Sequence, residues 1–396
     1  MIAHLLQPFQ LSADQQLQQD RLSAAPNMAQ TGALRVLMVT PRYFPHMGGV
    51  ENHVYQVARR LAHAGVDITV LSTDPSRQLP AQEKLAGVNV QRIHAWPAER
   101  DYYFAPDLYR VIRTGRWDIV HLQSYHTLVA PMTMHAAWQA KIPYVVTFHG
   151  GGHSSPWRNR MRATQHTLLR PLLARAERLV AVANFEVSHY SKRLRLGRER
   201  FVVIPNGCDL PSTPPATSAG PGTLILSVGR LEHYKGHQRI LAALPYILPH
   251  YPDAHLRIVG EGPYRAELLA QATALGLQDR VEIGGIPATE RTQMAATLSS
   301  AALVTLLSDF ETHPIAALEA LALKRPVLAT DTSGLRELAQ RKLLRAIPLN
   351  STPQGVAAAV IEQLRNPLTP AKLDLPTWDE CARELLMLYR SCIGRF

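Results

Sequence analysis

A chain of 396 residues is longer than one hydrophobic core usually serves, so its length predicts two domains. With 46% hydrophobic and 18% charged residues it has a globular composition, and no apolar run reaches the roughly 18 residues that a membrane span needs. The three cysteines lack C-x-x-C spacing, which favours neither a disulfide framework nor a zinc site and fits a reducing cytoplasm.

The formal net charge of +11 is unevenly distributed along the chain. Residues 1–211 carry 24 Lys and Arg against 14 Asp and Glu, whereas the remainder carries 18 against 17. A surplus of one sign attracts ligands of the opposite sign. We therefore expect the first half of the chain to attract an anionic partner, and net charge not to steer the ligand of the second half.

The first predicted elements form a β-α-β unit. Residues 1–33 are polar and rich in Gln and lack the basic start of a secretory signal, so they are predicted to be a disordered extension. Leu34–Thr40 is predicted to be a strand, Val50–Gly65 a helix with apolar residues at helical spacing, and Val66–Leu71 a second strand. This succession predicts a parallel sheet.

The alternation continues and predicts an α/β chain with two facing, doubly wound, Rossmann-like domains. The longest helix of the first series is expected at Asn159–Arg175, and a later stretch dense in Pro, Ser and Gly predicts a linker. The predicted divisions are an extension (1–33), an N-terminal acceptor-binding domain (34–207), a linker (208–222), a C-terminal nucleotide-binding domain (223–375) and a C-terminal helix that packs back on the N-terminal domain (376–396).

Ligands of doubly wound sheets bind beyond the carboxyl ends of the strands, so functional residues are expected in the loops that follow strands. Gly48 and Gly49 follow the first strand and open a helix, where a bare backbone approaches a phosphate closely. A pair of glycines alone more often marks a simple turn. His149 follows the strand Tyr144–Thr147, beside the glycines at 150–152, and is therefore placed to reach the cleft.

Four other histidines are also predicted to lie in loops, without further support for a function: His121, His126, His153 and His313. No pair of histidines has the spacing of metal ligands, and no Asp-x-Asp pair follows a strand where it could hold a metal ion on a diphosphate. We therefore predict no metal site and no cofactor.

Two cations follow the first strand of the second series, Leu224–Val228. Arg230 offers a forked pair of donors and Lys235 a point charge, a combination that suits a diphosphate. Either residue alone is equally typical of a solvated, charged loop. Together they predict the anion-binding side of the C-terminal domain.

A third loop follows the apolar run at 301–307 and leads into an Ala- and Leu-rich helix, Ile315–Leu323. Pro314 suits the first position of that helix, whose unpaired amides favour an anion. Glu311 lies in this loop and Glu319 inside the helix, where it is the only ionisable residue between 314 and 323. The alternative is a dipole cap for Glu311 and a solvated stripe for Glu319.

Two glutamates with seven residues between them, after a strand and at the start of a helix, resemble the motif of the family 4 retaining glycosyltransferases of the GT-B fold. The resemblance implies that Glu311 contacts the transferred sugar and Glu319 the ribose of a nucleotide-sugar donor. The diphosphate is implied to bind the backbone of the intervening residues Thr312, His313, Pro314 and Ile315. Thr312 and Pro314 stand where the family usually has glycines, and Pro314 has no amide hydrogen to offer.

The other motifs resemble the same family. Gly48 and Gly49 are similar to its first-loop glycines, Arg230 and Lys235 to its donor-phosphate cations, and His149 to a histidine near the transferred sugar. The catalytic residues implied by the resemblance are His149, Arg230, Lys235 and Glu311. The implied reaction moves a sugar from a nucleoside diphosphate to an acceptor hydroxyl with retained anomeric configuration.

Three alternatives differ in function. A dinucleotide-dependent oxidoreductase lacks support because no G-x-G-x-x-G follows the first strand. A nucleic-acid partner is not expected, because aromatic residues do not interleave the basic run. A non-catalytic glycan- or nucleotide-sugar-binding protein on a degenerate transferase fold stays open, because Thr312 and Pro314 erode the motif.

The basic surplus of the first half lies mainly within residues 158–200, which carry 11 Lys and Arg against 3 Glu. Trp157, Met161, Leu168 and Leu169 lie in or beside this span and offer apolar contacts, so a helix here could lie on an anionic membrane surface. An anionic acceptor in solution explains the charge equally well. We expect a cytoplasmic enzyme with an anionic or lipid-linked acceptor and peripheral attachment to the inner face of the cell membrane.

Overall fold

The computed structural model describes residues 33–46, 48–98, 102–150, 156–209, 222–287 and 290–394, with side chains in the helix at 156–173 only for residue 162 and from residue 164 onward. Residues 1–32 of the predicted extension and 210–221 of the predicted linker lie outside these ranges, as do residues 151–155. The two predicted domains each contain one sheet.

The first sheet has eight strands in the order β3-β4-β2-β1-β5-β6-β7-β8. Neighbouring strands run parallel except for β3, which pairs antiparallel with β4 at the sheet edge. The strands are β1 (Arg35–Val39), β2 (Asp67–Asp74), β3 (Gln82–Leu85), β4 (Val88–His94), β5 (Ile119–Gln123), β6 (Tyr144–Phe148), β7 (Arg178–Ala181) and β8 (Phe201–Val203). The helices are α1 (Gly49–His63), α2 (Asp107–Thr114), α3 (Val129–Gln139), α4 (Pro156–Leu173) and α5 (Asn184–Leu194).

The second sheet has six parallel strands in the order β11-β10-β9-β12-β13-β14. These are β9 (Leu224–Val228), β10 (His255–Val259), β11 (Val281–Gly284), β12 (Leu303–Leu306), β13 (Val327–Thr330) and β14 (Arg345–Ile347). The helices are α6 (His237–Ile247), α7 (Arg265–Ala274), α8 (Arg291–Ser300), α9 (Ile315–Ala322), α10 (Ser333–Gln340), α11 (Pro353–Arg365) and α12 (Trp378–Ile393).

Each sheet is covered by helices on both faces, which is why its central strands are apolar along their whole length. Successive residues of β1 point to opposite faces: Leu37 and Val39 join one buried cluster, and Val36 and Met38 the other. The second sheet likewise divides its apolar side chains between two clusters. The predicted α/β class with two parallel, doubly wound sheets is confirmed.

Helix α12 crosses from the second sheet back to the first. A capping box between Thr377 and Glu380 starts the helix. Trp378 and Tyr389 are then fully buried in the same cluster as the apolar face of α1. Arg60 of α1 also pairs with Asp379, with 2.6 Å between Nε and Oδ1. The N-terminal domain therefore completes one of its two cores with a helix from the end of the chain.

Two strands differ from the sequence prediction. Neither β3 nor β14 was expected, because β3 is polar with partly exposed side chains and β14 is only three residues long. Elsewhere the boundaries shift by one to three residues, as with β8, predicted at Val202–Ile204. Three strands have the bounds that their apolar runs predict, namely β9 (Leu224–Val228), β10 (His255–Val259) and β13 (Val327–Thr330).

Candidate functional site

The loops that follow the strands of the two sheets face each other, and several contacts cross between the domains. A methyl group at Gly150, after β6, would lie 3.2 Å from the Thr312 Cγ2 atom. The Phe185 ring at the start of α5 packs against Phe310, with 5.8 Å between centroids. Glu337 of α10 accepts hydrogen bonds from the amides of Asn184 and Phe185. The loop after β12 therefore meets the His149 end of the N-terminal domain.

The 229–236 loop follows β9 and contains both predicted cations. Gly236 has a φ of +77°, and a Cβ there would lie 1.8 Å from the Leu307 carbonyl oxygen, so only glycine fits. His237 is buried and connects the loop to β9. The Ser227 Oγ atom lies 2.8 Å from its Nδ1 atom, and its Nε2–H donates to the Arg230 carbonyl at 3.1 Å. The Arg230 side chain stays 46% exposed, beside the Tyr234 hydroxyl at 2.8 Å.

Lys235 and Glu311 form an ion pair with 2.6 Å between Nζ and Oε1. Both side chains are largely buried, at 17% and 12% exposure. Ser308 donates to the same Glu311 oxygen at 2.8 Å. Burial alone would lower the pKa of Lys235, but the Glu311 carboxylate reverses this effect, so the pKa is raised and the ammonium stays charged. The sequence placed these two residues in one site without predicting that they pair.

The 308–315 loop is fixed by the start of α10. The Ser333 hydroxyl accepts from the Glu311 amide at 2.8 Å, and the Gly334 amide donates to the Glu311 carbonyl at 2.9 Å. Helix α9 starts at Ile315, as in the predicted range, and Pro314 is its N-cap instead of its first helical residue. Pro314 still accepts from the Ala317 amide through its carbonyl, so its missing amide hydrogen leaves the helix start intact.

Glu319 lies on the buried side of α9 with 4% exposure, so the alternative of a solvated stripe is wrong for this residue. Its carboxylate pairs with Arg291 at the start of α8. Burial raises the pKa of Glu319, although the Arg291 guanidinium acts in the opposite direction. Arg291 was missed by sequence reasoning because it precedes Glu319 by 28 positions on a different helix.

Gly48 is the N-cap of α1, and Gly49 is its first residue. A Cβ at Gly49 would meet nothing within 4 Å, which leaves the helix start open, whereas one at Gly48 would lie 2.6 Å from the Glu51 carboxylate. Glu51 pairs with Arg42 at 3.3 Å. Burial alone would lower the pKa of Arg230. The nearby Tyr234, Glu232 and Glu51 outweigh this effect, so the pKa is raised. Glu51 lies in the first turn of α1, so one of the carboxylates that raise this pKa belongs to the other domain.

His149 directly follows β6 and is 9% exposed. Its Nε2 atom lies 2.7 Å from the Gln123 Oε1 atom. The His53 ring of α1 packs against it with 4.7 Å between centroids, and the His126 Nε2 atom lies 3.2 Å from its carbonyl. Burial, followed by His53, His121 and His126, holds the pKa of His149 well below its usual value, so the imidazole is neutral.

Asn206 links the two domains, and no function was predicted for it from the sequence. It lies beyond β8 and is 5% exposed. Its Oδ1 atom accepts from His53 Nδ1 at 2.8 Å, and its Nδ2 donates to the His313 carbonyl at 3.2 Å. The only sequence signal was the Pro205-Asn206-Gly207 triplet, which is equally typical of any turn. Asn206 thus anchors the 308–315 loop to α1.

Three groups of residues differ from the sequence expectations or lie outside the described ranges. His121 lies within β5 and is fully buried, so its prediction as a loop residue was wrong. Leu169 is 5% exposed and packs in the core because it occupies the inner face of α4, whereas Leu168 is 72% exposed. His153 and the Trp157 and Met161 side chains lie outside the described residues.

In the part of the chain that the structure describes, no group of three His, Cys, Asp or Glu side chains could hold a metal ion. None of the helices within the described ranges is long and apolar enough to cross a membrane.

Comparison with known proteins identifies the family. Residues 47–211 match the family model described as Glycosyltransferase Family 4, and residues 215–374 match Glycosyl transferases group 1. The chain is 30% identical over 366 residues to a glycogen synthase of Mycobacterium tuberculosis, covering 84% of this chain and 87% of the relative.

A second relative and a solved structure agree. The GDP-mannose:cellobiosyl-diphosphopolyprenol alpha-mannosyltransferase of Xanthomonas campestris is 30% identical over 302 residues, which cover 73% of this chain and 76% of the relative. The sucrose-phosphate synthase structure from Thermosynechococcus elongatus superimposes with a TM-score of 0.76 at 20% identity, covering 90% of this chain and 98% of that one. The chain therefore belongs to glycosyltransferase family 4 and is a glycosyltransferase with the predicted GT-B fold.

Proposed function

We propose that this glycosyltransferase takes its sugar from a nucleoside-diphosphate donor and transfers it with retained anomeric configuration. The observation that carries the proposal is the Lys235–Glu311 pair in the cleft, with Arg230 on the same loop. In the reaction, the bond between the sugar C1 and the diphosphate oxygen breaks, and a bond from C1 to the acceptor oxygen forms. The acceptor proton goes to the leaving diphosphate, which departs with the electron pair of the broken bond.

The two cations are proposed to stabilise the charge that grows on the leaving diphosphate. Lys235 is held charged by Glu311, and nearly half of the Arg230 side chain is exposed. The first amides of α9 add donors, since the amides of a helix start have no partner inside the helix. Fixed positive groups lower the barrier when they bind the developing phosphate charge more strongly than the intact donor.

The two glutamates are proposed to bind hydroxyl groups of the donor. Glu311 pairs with Lys235 and is assigned to the transferred sugar, and His149 lies across the cleft from the same loop. Glu319 is buried against Arg291 and is assigned to the ribose. The backbone of Thr312, His313, Pro314 and Ile315 runs between the glutamates, and Gly48 and Gly49 start α1 in the other domain. We assign the diphosphate to the space between these two segments.

A panel of UDP-glucose, GDP-mannose, UDP-N-acetylglucosamine and ADP-glucose tests the donor class by thermal shift. A ligand at a hundred times its Kd adds about 2.7 kcal/mol to the free energy of unfolding, so the true donor should raise the Tm clearly. Slow release of the nucleoside diphosphate by the same donor, and a product anomer that matches the donor by NMR, should follow. Binding without turnover would favour the non-catalytic alternative, and an inverted anomer would contradict retention.

The transfer is also proposed to need no metal ion or cofactor, since the cations of the protein take the place of a metal on the diphosphate. We expect turnover of the selected donor to stay within about twofold of its normal value after dialysis against EDTA. A parallel sample with added MgCl₂ serves as the control. Loss of activity with EDTA that Mg²⁺ or Mn²⁺ restores would contradict this assignment.

The acceptor is proposed to be anionic and lipid-linked, and the enzyme to work at the inner face of the cell membrane. Residues 158–200 carry a net charge of +8, and Leu168 on α4 is 72% exposed among them. The Xanthomonas relative is named for a diphosphopolyprenol acceptor. Basic side chains near an anionic surface contribute roughly 1 kcal/mol each, so a few of them suffice for reversible attachment.

Co-sedimentation with vesicles containing 30 mol% phosphatidylglycerol tests this surface. We expect binding at low salt that weakens at high salt, because salt screens exposed charges. The double variant Arg170→Glu and Lys192→Glu, at two exposed positions, should bind at least about tenfold more weakly. Lys372→Glu, exposed in the other half of the chain, is the control and should bind normally. Equal binding to neutral vesicles would contradict a charge-driven attachment.

A further inference from the structure

Gln123 is a fully buried residue that the motifs did not identify. It ends β5, directly beside Thr147 of β6 in the parallel register. His149 follows two residues after Thr147, so the two strand ends bring Gln123 and His149 together. The Gln123 Oε1 atom lies 2.7 Å from the Nε2 atom of His149.

This contact determines which ring nitrogen of His149 carries the proton. An amide oxygen only accepts hydrogen bonds, so the Nε2 atom of His149 must be the donor. His149 is neutral, and a neutral imidazole carries a single proton. The Nδ1 atom is then left with a free lone pair and acts as an acceptor.

The other end of the Gln123 amide is held by His121. The Nδ1 and Nε2 atoms of His121 lie 2.6 Å from the Tyr389 hydroxyl and 2.7 Å from the Thr147 hydroxyl, which occupy the ring plane. The Gln123 Nε2 atom is 3.2 Å from each of these ring nitrogens and therefore lies over the ring face. An N–H group placed over the π-surface of a ring makes a weak but directional contact. Helix α12, through Tyr389, thus supports the orientation of Gln123.

We propose that Gln123 is a positioning residue for the transfer reaction, which holds His149 as the Nε2–H tautomer so that Nδ1 accepts a hydrogen bond from a hydroxyl of the transferred sugar. This inference rests on the proposed function, in which His149 lies beside that sugar. Gln123 does not touch the substrate; it acts through His149. His121 and Tyr389 keep the Gln123 amide from flipping.

The substitution Gln123→Leu removes the acceptor and leaves the His149 Nε2–H group buried without a partner. We expect kcat with the selected nucleotide sugar to fall by about tenfold to a hundredfold, and the affinity for the free nucleoside diphosphate to stay unchanged. In a His149→Ala background, the same substitution should cost less than about twofold, because its effect passes through His149. Gln363→Leu, also at a fully buried glutamine, is the matched control and should leave kcat unchanged.

The substitution Gln123→Glu keeps the acceptor and adds a negative charge beside His149. The other titratable groups that face His149 are His53 of α1, His121 of β5 and His126 after β5, and Glu186 of α5 accepts from the neighbouring Gly150 amide. A carboxylate at hydrogen-bond distance raises the pKa of the imidazole by about one to three units. At pH 8, where His149 is neutral, we expect kcat of Gln123→Glu near the wild-type value. Because the imidazolium has no lone pair on Nδ1, the acid limb of the kcat–pH profile should shift upward by at least one pH unit.

A second readout does not depend on activity. The ¹⁵N shifts of the histidine ring report the tautomer directly, with His149→Ala identifying the signal. We expect the Nε2–H form in the wild type and a mixture of tautomers in Gln123→Leu. Equal costs of Gln123→Leu in both backgrounds, or the Nδ1–H form in the wild type, would overturn the positioning role.

The His149→Ala variant separates the two levels of the proposal. Full activity of this variant would remove His149 from the proposed function and the inference with it. Impaired activity of His149→Ala together with normal activity of Gln123→Leu would overturn the inference alone.

Discussion

Replacing Lys235 by alanine is expected to lower kcat by about a hundredfold or more while the fold stays intact. The ammonium group lies 2.6 Å from the Glu311 carboxylate. Lys235 is more buried than Arg230, the other cation assigned to the diphosphate. Without the ammonium, less positive charge stabilises the leaving diphosphate, and Glu311 loses its ion-pair partner. Release of the nucleoside diphosphate at saturating donor measures kcat, and circular dichroism checks the fold.

Lys372→Ala is the matched control for this experiment, because Lys372 is exposed in the same half of the chain. Its kcat should equal that of the wild type. The kcat of the double variant Lys235→Ala and Glu311→Ala should fall by less than the product of the two single fold-losses, since the residues act as a pair. Near-normal turnover of Lys235→Ala would remove this residue from the site.

The substitution Gly334→Ala should lower kcat about as much as Lys235→Ala does. The cause here is displacement of the backbone and not the loss of a charge. A Cβ at this position would lie 1.7 Å from the Thr312 carbonyl oxygen and 3.2 Å from that of Glu311. The 308–315 loop or the start of α10 must therefore move by about 1 Å, and a misplacement of that size costs on the order of a hundredfold in rate. Titration calorimetry with the free nucleoside diphosphate should show weaker binding, and the Tm should fall with an overpacking cost of about 1–3 kcal/mol.

Gly355→Ala makes the same change in the first turn of α11, where the nearest atom would be 3.5 Å away. Because alanine is the better helix former, this control should be neutral or stabilising by about 0.5–1 kcal/mol. Unchanged nucleoside-diphosphate binding in Gly334→Ala would mean that the 308–315 loop does not bind the diphosphate.

The sequence predicted the central strands well because burial on both faces makes them apolar runs, as in Leu224–Val228. It missed β3 because an edge strand that is half exposed needs no such run. The site was predictable where one short segment carries the pattern, as between Glu311 and Glu319. The match to the family confirmed the class of enzyme, whereas the roles of the individual residues stay predictions.

Contacts between distant segments could not be predicted. Gln123 and His149 meet because two strands end side by side, and Asn206 reaches His313 across 107 positions. Neither pair has a local pattern, because the register of the sheet and the docking of the domains create them. The partners of Glu311 and Glu319 belong to the same class: Lys235 is 76 positions away, and Arg291 is on a separate helix.

The return of α12 to the first sheet has a consequence for synthesis on the ribosome. Strand β8 is complete at residue 203, but Trp378 and Tyr389, which fill the core beneath α1, are translated much later. At about 5–20 residues per second, the nascent N-terminal domain waits roughly 10–40 s with that apolar face uncovered. The second sheet is finished within this interval and has no need of α12 for its own core. The domain that is made first is therefore the one that matures last, and during the delay its open face is the natural place for a chaperone to bind.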